Sequence, residues 1–74
     1  MSAVTLKRTD RERNISRFYL IAVQLELFGR WSLVREWGRI GRPGQARIVS
    51  YSTQEEAEAA FIRHRRSKER RGYR

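Results

Sequence analysis

The sequence predicts an α+β fold, in which a small, twisted antiparallel β-sheet carries one C-terminal α-helix packed on one face. Three observations predict it. Apolar residues recur at every second position from Arg17 to Phe28, which is the period of a β-strand. Gly41-Arg42-Pro43-Gly44 has the composition of a tight turn between strands. A helix-capping sequence begins at Thr53, after the last predicted strand.

The first half of the predicted sheet consists of an edge strand and a longer central strand. Val4-Thr5-Leu6 is expected to be a short edge strand, and the charged residues that follow it, through Asp10, Glu12 and Asn14, resemble a turn. The longer strand, Arg17 to Phe28, has one face made of alternate residues, namely Tyr19, Ile21, Val23, Leu25 and Leu27. The opposite face becomes polar toward Glu26, which is typical of a half-covered antiparallel strand.

The second half of the predicted sheet follows two short connections. Gly29-Arg30 provides a tight connection to a strand from Trp31 to Ile40. The Gly- and Pro-containing turn then leads to a last strand from Gln45 to Tyr51. Trp31, at the start of its strand, is interpreted as a packing residue.

The helix is predicted from its start signal and from one apolar stripe. Thr53 is the expected N-cap, and Glu56 three residues later completes a capping box. The stripe comprises Ala57, Ala60, Phe61 and His64, which recur at helical spacing. We expect the helix to run to about Arg70 and to end at Gly72. A histidine on this stripe predicts a packed, neutral imidazole rather than a catalytic or metal-binding group.

Length and charge limit the classes of function. The 74 residues are expected to form a single domain, 1–74, with a basic helix end and tail at about 63–74. The chain has 17 Lys and Arg against 8 Asp and Glu, a formal net charge of +9. Such a charge attracts polyanions through counterion release, so nucleic acid is the first partner to consider. An acidic protein or an acidic membrane is equally compatible with the charge alone.

Several chemistries are excluded by the residues that are missing from the sequence. The chain has no cysteine and one histidine, which excludes disulfides, thiolate nucleophiles and Cys-type zinc sites. Gly38, Gly41 and Gly44 do not follow the strand-to-helix pattern of a dinucleotide-binding loop. We therefore expect no enzyme activity, no cofactor and no metal. With no apolar run of membrane-spanning length and no secretion signal, a cytoplasmic location is expected.

The most informative motif is Trp37-Gly38-Arg39, which ends a predicted strand beside a turn. Strand alternation places the indole of Trp37 and the guanidinium of Arg39 on one face. An aromatic ring beside a fixed cation suits a nucleic acid, because the ring can stack while the cation holds phosphate. One alternative remains open for each residue. Trp37 packs on the sheet instead of contacting a ligand. Arg39 forms a surface ion pair with Glu36 or Glu26 instead of contacting phosphate.

The C-terminal segment contains a second group of cations. Seven basic residues fall within thirteen positions, namely Arg63, Arg65, Arg66, Lys68, Arg70, Arg71 and Arg74. This exceeds what capping of a helix C-terminus requires, and it favours contact with a polyanion over a merely solvated face. Tyr73 either stacks on a base or closes the helix end against the sheet.

The ordered motifs resemble the WGR domain, which is known from eukaryotic poly(ADP-ribose) polymerases and from small bacterial proteins. Trp37-Gly38-Arg39-Ile40-Gly41 matches the sequence for which the family is named, and Gly44-Gln45 matches the Gly-Gln that follows it. Phe18-Tyr19-Leu20-Ile21 resembles the preceding aromatic strand, and Thr53 to Phe61 resembles the capped helix. Lys68 and Tyr73 match a late lysine and a terminal aromatic. The resemblance extends from about Leu6 to Tyr73.

The resemblance implies a nucleic-acid-binding module. In the polymerases this domain grips DNA near a strand break, with the Trp against the terminal nucleotide and the Arg coupling the break to neighbouring domains. Those regulatory and transferase domains do not fit in 74 residues, so the polymerase activity does not carry over. Two departures bear on end recognition: Ser16 stands where DNA-contacting members tend to have Asn, and Glu36 precedes the Trp.

The leading hypothesis is a non-catalytic module that binds nucleic acid, with DNA favoured over RNA, through phosphate contacts and aromatic stacking with little sequence preference. The predicted contact residues are Arg17, Arg35, Trp37, Arg39, Arg42, Gln45, Arg66, Lys68, Arg70 and Tyr73. The alternatives are an adaptor for an acidic partner or for a separately encoded enzyme, and an RNA-binding protein. The adaptor hypothesis uses an exposed edge strand at Val4 to Leu6 as its pairing surface.

Overall fold

The computed structural model describes residues 2–74 and has the predicted α+β architecture. The elements are β1 (Ala3–Asp10), β2 (Ile15–Leu25), a 3-10 turn (Leu27–Gly29), β3 (Trp31–Arg39), β4 (Gln45–Tyr51) and α1 (Gln54–Arg70). The strands form one antiparallel sheet in the order β1-β2-β3-β4, and α1 packs on one face of it. Each strand therefore pairs with its neighbour in sequence, as tight connections require.

The bounds of the first two strands were predicted wrongly, since β1 begins at Ala3 and β2 begins at Ile15 rather than at Arg17. The first strand is not confined to Val4–Leu6 but extends to Asp10, and the turn is limited to the residues between Asp10 and Ile15. The second strand ends at Leu25 rather than at Phe28 because the backbone of Phe28 has a φ of 64° and Gly29 a φ of 74°. Two successive left-handed residues cannot continue a strand, so the segment turns out of the sheet.

The later elements agree with the sequence. β4 has the predicted bounds, β3 ends one residue earlier than predicted, and α1 ends at Arg70. The Thr53 hydroxyl accepts a hydrogen bond from the backbone N–H of Glu56 at 3.2 Å and donates one to its carboxylate at 3.1 Å. This confirms Thr53 as the N-cap. Gly72 follows the helix with a φ of 92°, the left-handed conformation that glycine adopts easily.

The core lies between the sheet and the helix. The strands contribute Leu6, Tyr19, Ile21, Val23 and Leu33, and the helix contributes Ala57, Ala60 and Phe61. Trp31 packs against this cluster, as predicted. The two fully buried alanines let the helix approach the sheet closely. Because all buried side chains of the strands except those of Ala22 and Ser32 lie on this face, the helix defines an inner and an outer face of the sheet.

The C-terminal tail returns to the free edge of β1. The backbone N–H of Lys7 donates to the carbonyl of Arg74 at 2.7 Å, and the N–H of Arg74 donates to the carbonyl of Lys7 at 2.8 Å. The edge strand predicted as an open pairing surface is therefore paired at its middle by the chain itself. This arrangement also holds Tyr73, which is 8% exposed, against the core.

Candidate nucleic-acid interface

Trp37 lies on the inner face of the sheet, near the end that the helix leaves uncovered. Its ring is half-buried, and its centroid is 6.4 Å from that of Tyr19 on the neighbouring strand. The guanidinium carbon of Arg35 lies 5.7 Å from the Trp37 ring centroid. Packing of Trp37 on the sheet, one of the predicted alternatives, is therefore confirmed for one part of its ring, and the remainder is open to solvent beside a cation.

The end of the helix brings a second cation to the same place. The Lys68 ammonium lies 4.7 Å from the ring centroid of Tyr19 and 5.5 Å from that of Tyr73. The two tyrosine rings are 6.3 Å apart in an edge-to-face arrangement. Burial lowers the pKa of Lys68, and the positive charges of Arg71 and Arg35 lower it further. We refer to Tyr19, Arg35, Trp37, Lys68 and Tyr73 as the Trp37 group.

Two polar atoms of the Trp37 group are buried without a partner. Within residues 2–74, the hydroxyl of Tyr19 and the Nε of Arg35 have no hydrogen bond. A buried polar atom without a partner costs about 1–3 kcal/mol of stability, so native structures contain few of them. Both atoms can donate a hydrogen bond. The group thus combines cations with aromatic rings, a combination that suits an anionic, planar ligand.

Three arginines lie directly opposite one another across neighbouring strands. The register pairs Arg8 with Arg17, and Arg17 with Arg39. We call this set the arginine row. It lies on the inner face, two residues along the strands from Tyr19 and Trp37, which corresponds to about 7 Å.

The arginine row has no internal compensation for its charge. Like charges directly opposite each other on a sheet are destabilising. The ion pairs among the described residues are Arg13–Asp10 and Arg65–Glu69, and neither involves the row. Among the described residues, the predicted alternative in which Arg39 pairs with Glu36 or Glu26 is therefore wrong. Strand alternation also turns Glu36 to the outer face, away from Trp37.

The glycines of the motif allow the β3–β4 turn to fold tightly. A Cβ atom on Gly38 would lie 2.8 Å from the Cα of Gly44 and 3.5 Å from the ring of Phe18. A Cβ on Gly44 would collide with the carbonyl oxygen of Trp37. Only glycines permit this approach of two backbones. The glycine of the motif thus sets the backbone on which Trp37 and Arg39 are presented.

The structure brings most of the predicted contact residues to one end of the molecule. Arg17, Arg35, Trp37, Arg39, Lys68 and Tyr73 lie in the arginine row or the Trp37 group, and Gln45 pairs with Trp37 in the sheet register. Arg42 is exposed in the adjoining turn. Arg66 and Arg70 are exposed on the helix, outside both sets. Burial of Tyr73 supports the alternative in which its ring closes the helix end.

Sequence reasoning missed three residues of this surface. Arg8 belongs to the arginine row, but the short first strand that was predicted stopped before it. Tyr19 was placed on one face of the second strand but not among the contact residues, although its hydroxyl is unpaired. Arg47 is exposed on β4 directly opposite Arg35. Alternation along the full length of β1 and β4 places Arg8 and Arg47 on the inner face. The register, which sets them opposite the other arginines, is not visible in the sequence.

Other kinds of site were also considered for residues 2–74. Over that range no three side chains of His, Cys, Asp or Glu group closely enough to hold a metal ion. No α-helix there is long and apolar enough to cross a membrane. Burial lowers the pKa of His64, and the nearby charges of Arg35, Arg63 and Lys68 lower it further, which agrees with the predicted neutral imidazole.

Comparison with known proteins identifies the family. The model of the WGR domain matches residues 2–74. The chain belongs to the WGR family. An uncharacterised protein, y4dW, of Sinorhizobium fredii is 39% identical over 69 residues, which are 93% of this chain and 34% of that protein. No solved structure gives a significant match.

A distant relative is an enzyme. The human protein mono-ADP-ribosyltransferase PARP3 is 31% identical over 64 residues, which are 86% of this chain and 12% of the enzyme. The chain thus spans about a third of the bacterial relative and about an eighth of the human one. Each similarity lies within the residues of this chain that match the WGR domain.

Proposed function

We propose that this WGR domain is a non-catalytic module that binds nucleic acid, with DNA favoured, through its arginine row and Trp37 group. The observation that carries the proposal is the arginine row, in which three cations lie in register without an acidic partner among the described residues. A phosphate backbone would relieve the repulsion among them. The WGR domain is linked to nucleic-acid binding in poly(ADP-ribose) polymerases, which supports the same conclusion.

In the proposed binding mode, the arginine row and the Trp37 group make different contacts with the nucleic acid. The arginine row binds phosphates, because guanidinium groups suit bidentate contact with phosphate oxygens. The exposed part of the Trp37 ring stacks on a nucleotide, and the adjoining Arg35 lies beside the same nucleotide. No residue of these sets reads base edges in the proposed mode, so binding shows little sequence preference.

A duplex titration at two salt concentrations tests the phosphate part of the proposal. Fluorescence anisotropy with a labelled oligonucleotide is expected to show binding that weakens steeply as salt rises. Arg39→Ala, in the arginine row, is expected to weaken binding uniformly across sequences and to lower the salt slope by about one, whereas Arg66→Ala and Arg70→Ala, outside both sets, are expected to change the slope less. An absence of binding at low salt would contradict the proposal.

Substitution of the two tryptophans tests the stacking part. Trp37→Leu retains apolar volume against Tyr19 but removes the flat ring, and it is expected to cost about 1–3 kcal/mol of binding with little change in salt slope. Trp31→Leu, at the other end of β3, is the matched control and is expected to bind as the parent does. Circular dichroism verifies that both variants fold. A folded Trp37→Leu variant that binds as tightly as the parent would exclude stacking.

Free ends provide a sharper test of Trp37. If its ring stacks on a terminal nucleotide, the parent prefers linear duplexes over closed circles, and Trp37→Leu loses that preference. Equal affinity of the parent for both forms would show that the domain binds duplex without a preference for ends. Competition between matched DNA and RNA duplexes tests the preference for DNA, since an A-form helix presents its phosphates and 2′-hydroxyls differently.

The second candidate is an adaptor for a separately encoded enzyme. The observation in its favour is that the similarity to a mono-ADP-ribosyltransferase covers only 12% of that protein, so the catalytic part lies elsewhere. Affinity capture before and after nuclease treatment distinguishes the two. Partners that disappear with nuclease support nucleic-acid binding, and partners that persist support the adaptor.

A further inference from the structure

The two edge strands of the sheet differ in what pairs with them. The free side of β1 is paired at its middle with the tail, through the hydrogen bonds between Lys7 and Arg74. No strand among the described residues pairs with the free side of β4. β4 also lacks the features that usually block an edge, since it has no proline, pairs with β3 without a bulge, and carries one charged residue, Arg47. This edge is therefore open to a further strand.

The register shows which backbone groups of β4 point to its free side. In an antiparallel pair, residues that exchange hydrogen bonds alternate with residues that do not. The N–H of Ile40 donates to the carbonyl of Ser16, and that of Glu26 to the carbonyl of Arg30, so the even-numbered residues of β3 bond to β2. The odd-numbered residues of β3 then bond to the odd-numbered residues of β4. The residues of β4 whose N–H and C=O groups point outward are therefore Ala46, Ile48 and Ser50.

These outward groups are complementary to an extended peptide. Each of the three residues presents one donor and one acceptor, and an extended backbone presents the same groups at the same spacing. The tail uses this geometry on β1, where Lys7 and Arg74 exchange hydrogen bonds of 2.7 and 2.8 Å. Phosphodiester groups only accept hydrogen bonds, so a nucleic acid backbone leaves the outward carbonyls of β4 unpaired. The edge therefore fits a polypeptide better than a nucleic acid.

The charges along β4 determine where the peptide is acidic. Arg47 is exposed beside Arg35 in the register and has no ion pair among the described residues. Arg42 is exposed in the turn that precedes the strand. Near the other end of β4, the hydroxyl of Ser50 donates to the carboxylate of Glu26 at 2.6 Å, so an acid is already present there. Opposite charges across neighbouring strands are favourable, so the acidic side chain of the peptide belongs opposite Arg47.

We propose that β4 binds an extended, acidic segment of a protein partner, which adds a fifth, antiparallel strand to the sheet. The segment places an acidic residue opposite Arg47 and β-branched residues opposite Ile48, which is 64% exposed, and Val49, which is half-buried. Every strand pair of the sheet is antiparallel, and such pairing is the more stable kind. A net charge of +9 favours an acidic partner over a second copy of the chain. This inference does not rest on the proposed nucleic-acid binding.

Amide hydrogen exchange of the labelled chain, followed by NMR during titration with a synthetic peptide, tests the proposal. The peptide is as long as β4, with glutamate opposite Arg47, valine opposite Ile48 and Val49, and threonine elsewhere. In the free chain, the outward amides of Ala46, Ile48 and Ser50 are expected to exchange quickly, and those of Arg47 and Val49 slowly. Saturation with the peptide is expected to slow exchange at the three outward amides.

Two modified peptides separate strand pairing from attraction by charge. Methylation of the peptide amides that face β4 leaves every charge and side chain in place but removes the hydrogen-bond donors. This peptide is expected to bind roughly tenfold more weakly or worse. Replacement of the glutamate by lysine removes the attraction to Arg47 and is expected to weaken binding roughly fivefold.

Proline substitution tests the same contact from the side of the protein. Ile48→Pro removes an outward N–H that makes no bond to β3, so the sheet is retained while binding is expected to weaken roughly tenfold. The matched control is Thr5→Pro on β1. Thr5 is exposed and lies two residues from Lys7, so its N–H also points outward, and this variant is expected to bind the peptide as the parent does. Circular dichroism verifies that both variants fold.

Four results overturn the proposal. These are no binding at millimolar peptide, equal binding of the methylated peptide, weakening by Thr5→Pro but not by Ile48→Pro, and protection of the outward amides that appears without peptide as the protein concentration rises. The second assigns binding to charge alone, the third to displacement of the tail from β1, and the fourth to a second copy. If Ile48→Pro unfolds, the comparison of the parent and methylated peptides on the unaltered chain decides.

Discussion

The two ends of this elongated molecule, which extends over 46 × 24 × 14 Å, differ in chemistry although the same strands connect them. One end carries the arginine row, Trp37 and the basic end of the helix. The other carries Glu26 and the acidic start of the helix, together with Leu27 and the fully exposed Phe28. The first is suited to a polyanion, and the second, with its acidic residues, is the less suited of the two.

This difference shows that the net charge alone does not describe how unevenly the charges are distributed over the molecule. A uniform charge of +9 would attract nucleic acid to every surface. Under the proposed function, the surplus of basic residues at the Trp37 end orients the domain as it approaches a polyanion, so that Trp37 meets the ligand. The charged side chains on the helix also complement its dipole. Lys68 and Arg70 lie at its negative C-terminal end, and Glu55 and Glu56 lie at its positive N-terminal end.

The largest expected effect comes from removing charge at the basic end. The double variant Arg17→Ala, Arg39→Ala is expected to lower the salt slope of duplex binding by about two, because two phosphate contacts are lost. Arg30→Ala, a loss of charge at the acidic end, is expected to leave the slope unchanged. Anisotropy titrations at several salt concentrations measure both. Equal effects per arginine at the two ends would show that charge acts without regard to position.

The glycine that shapes the basic end is expected to be important for stability. Gly38→Ala places a methyl group against the backbone of Gly44, which must move, and is expected to destabilise the fold by about 1–3 kcal/mol. A thermal melt followed by circular dichroism should show a Tm lower by about 4–8 °C for each kcal/mol. An unchanged Tm would mean that the turn adapts without cost.

The helix cap at the acidic end is expected to affect stability without affecting binding. Thr53→Ala removes the acceptor for the Glu56 backbone N–H and is expected to cost about 1 kcal/mol. Duplex affinity should be unchanged in the folded variant, because Thr53 lies far from the arginine row. Ser52→Ala, one residue earlier, is the control for stability. A matching loss of duplex affinity would contradict the division of the molecule into two ends.

The smallest expected effect is the dependence of stability on the protonation of His64. Burial and neighbouring cations lower its pKa in the folded state, so the unfolded chain takes up a proton first as the pH falls. Stability is therefore expected to decrease as the pH drops below about 6.5, the ordinary pKa of histidine. His64→Gln should reduce that decrease. Melts between neutral and mildly acidic pH measure it, and identical pH profiles for parent and variant would exclude the effect.

Local chemistry explains which parts of the fold were predictable. The bounds of β4 and the start of α1 follow from a Gly-Pro turn and from the N-cap residue Thr53, both of which act within a few residues. The end of β2 was not predictable, because alternation of apolar residues continues to Leu27 while the left-handed Phe28 ends the strand. The extent of β1 depends on its long-range pairing with β2 and with the tail.

The candidate site was predictable to a similar degree. Trp37 and Arg39 follow from alternation along one strand, and Lys68 and Tyr73 from the resemblance to the family. The arginine row requires the register of three strands, which places Arg8, Arg17 and Arg39 side by side. No pattern within a single strand indicates that register. Alternation along the predicted strand, in contrast, is enough to place Glu36 on the opposite face from Trp37.

The central claim is that the Trp37 end of the domain binds nucleic acid, and the two tryptophans of the chain test it directly. Trp31 and Trp37 begin and nearly end the same strand, so their indole N–H resonances report on the two ends separately. In a titration with a duplex oligonucleotide, the account predicts that the Trp37 indole resonance shifts or broadens progressively while that of Trp31 stays in place. A Trp31 resonance that shifts as much as that of Trp37, or a Trp37 resonance that stays fixed while the duplex binds, would contradict it.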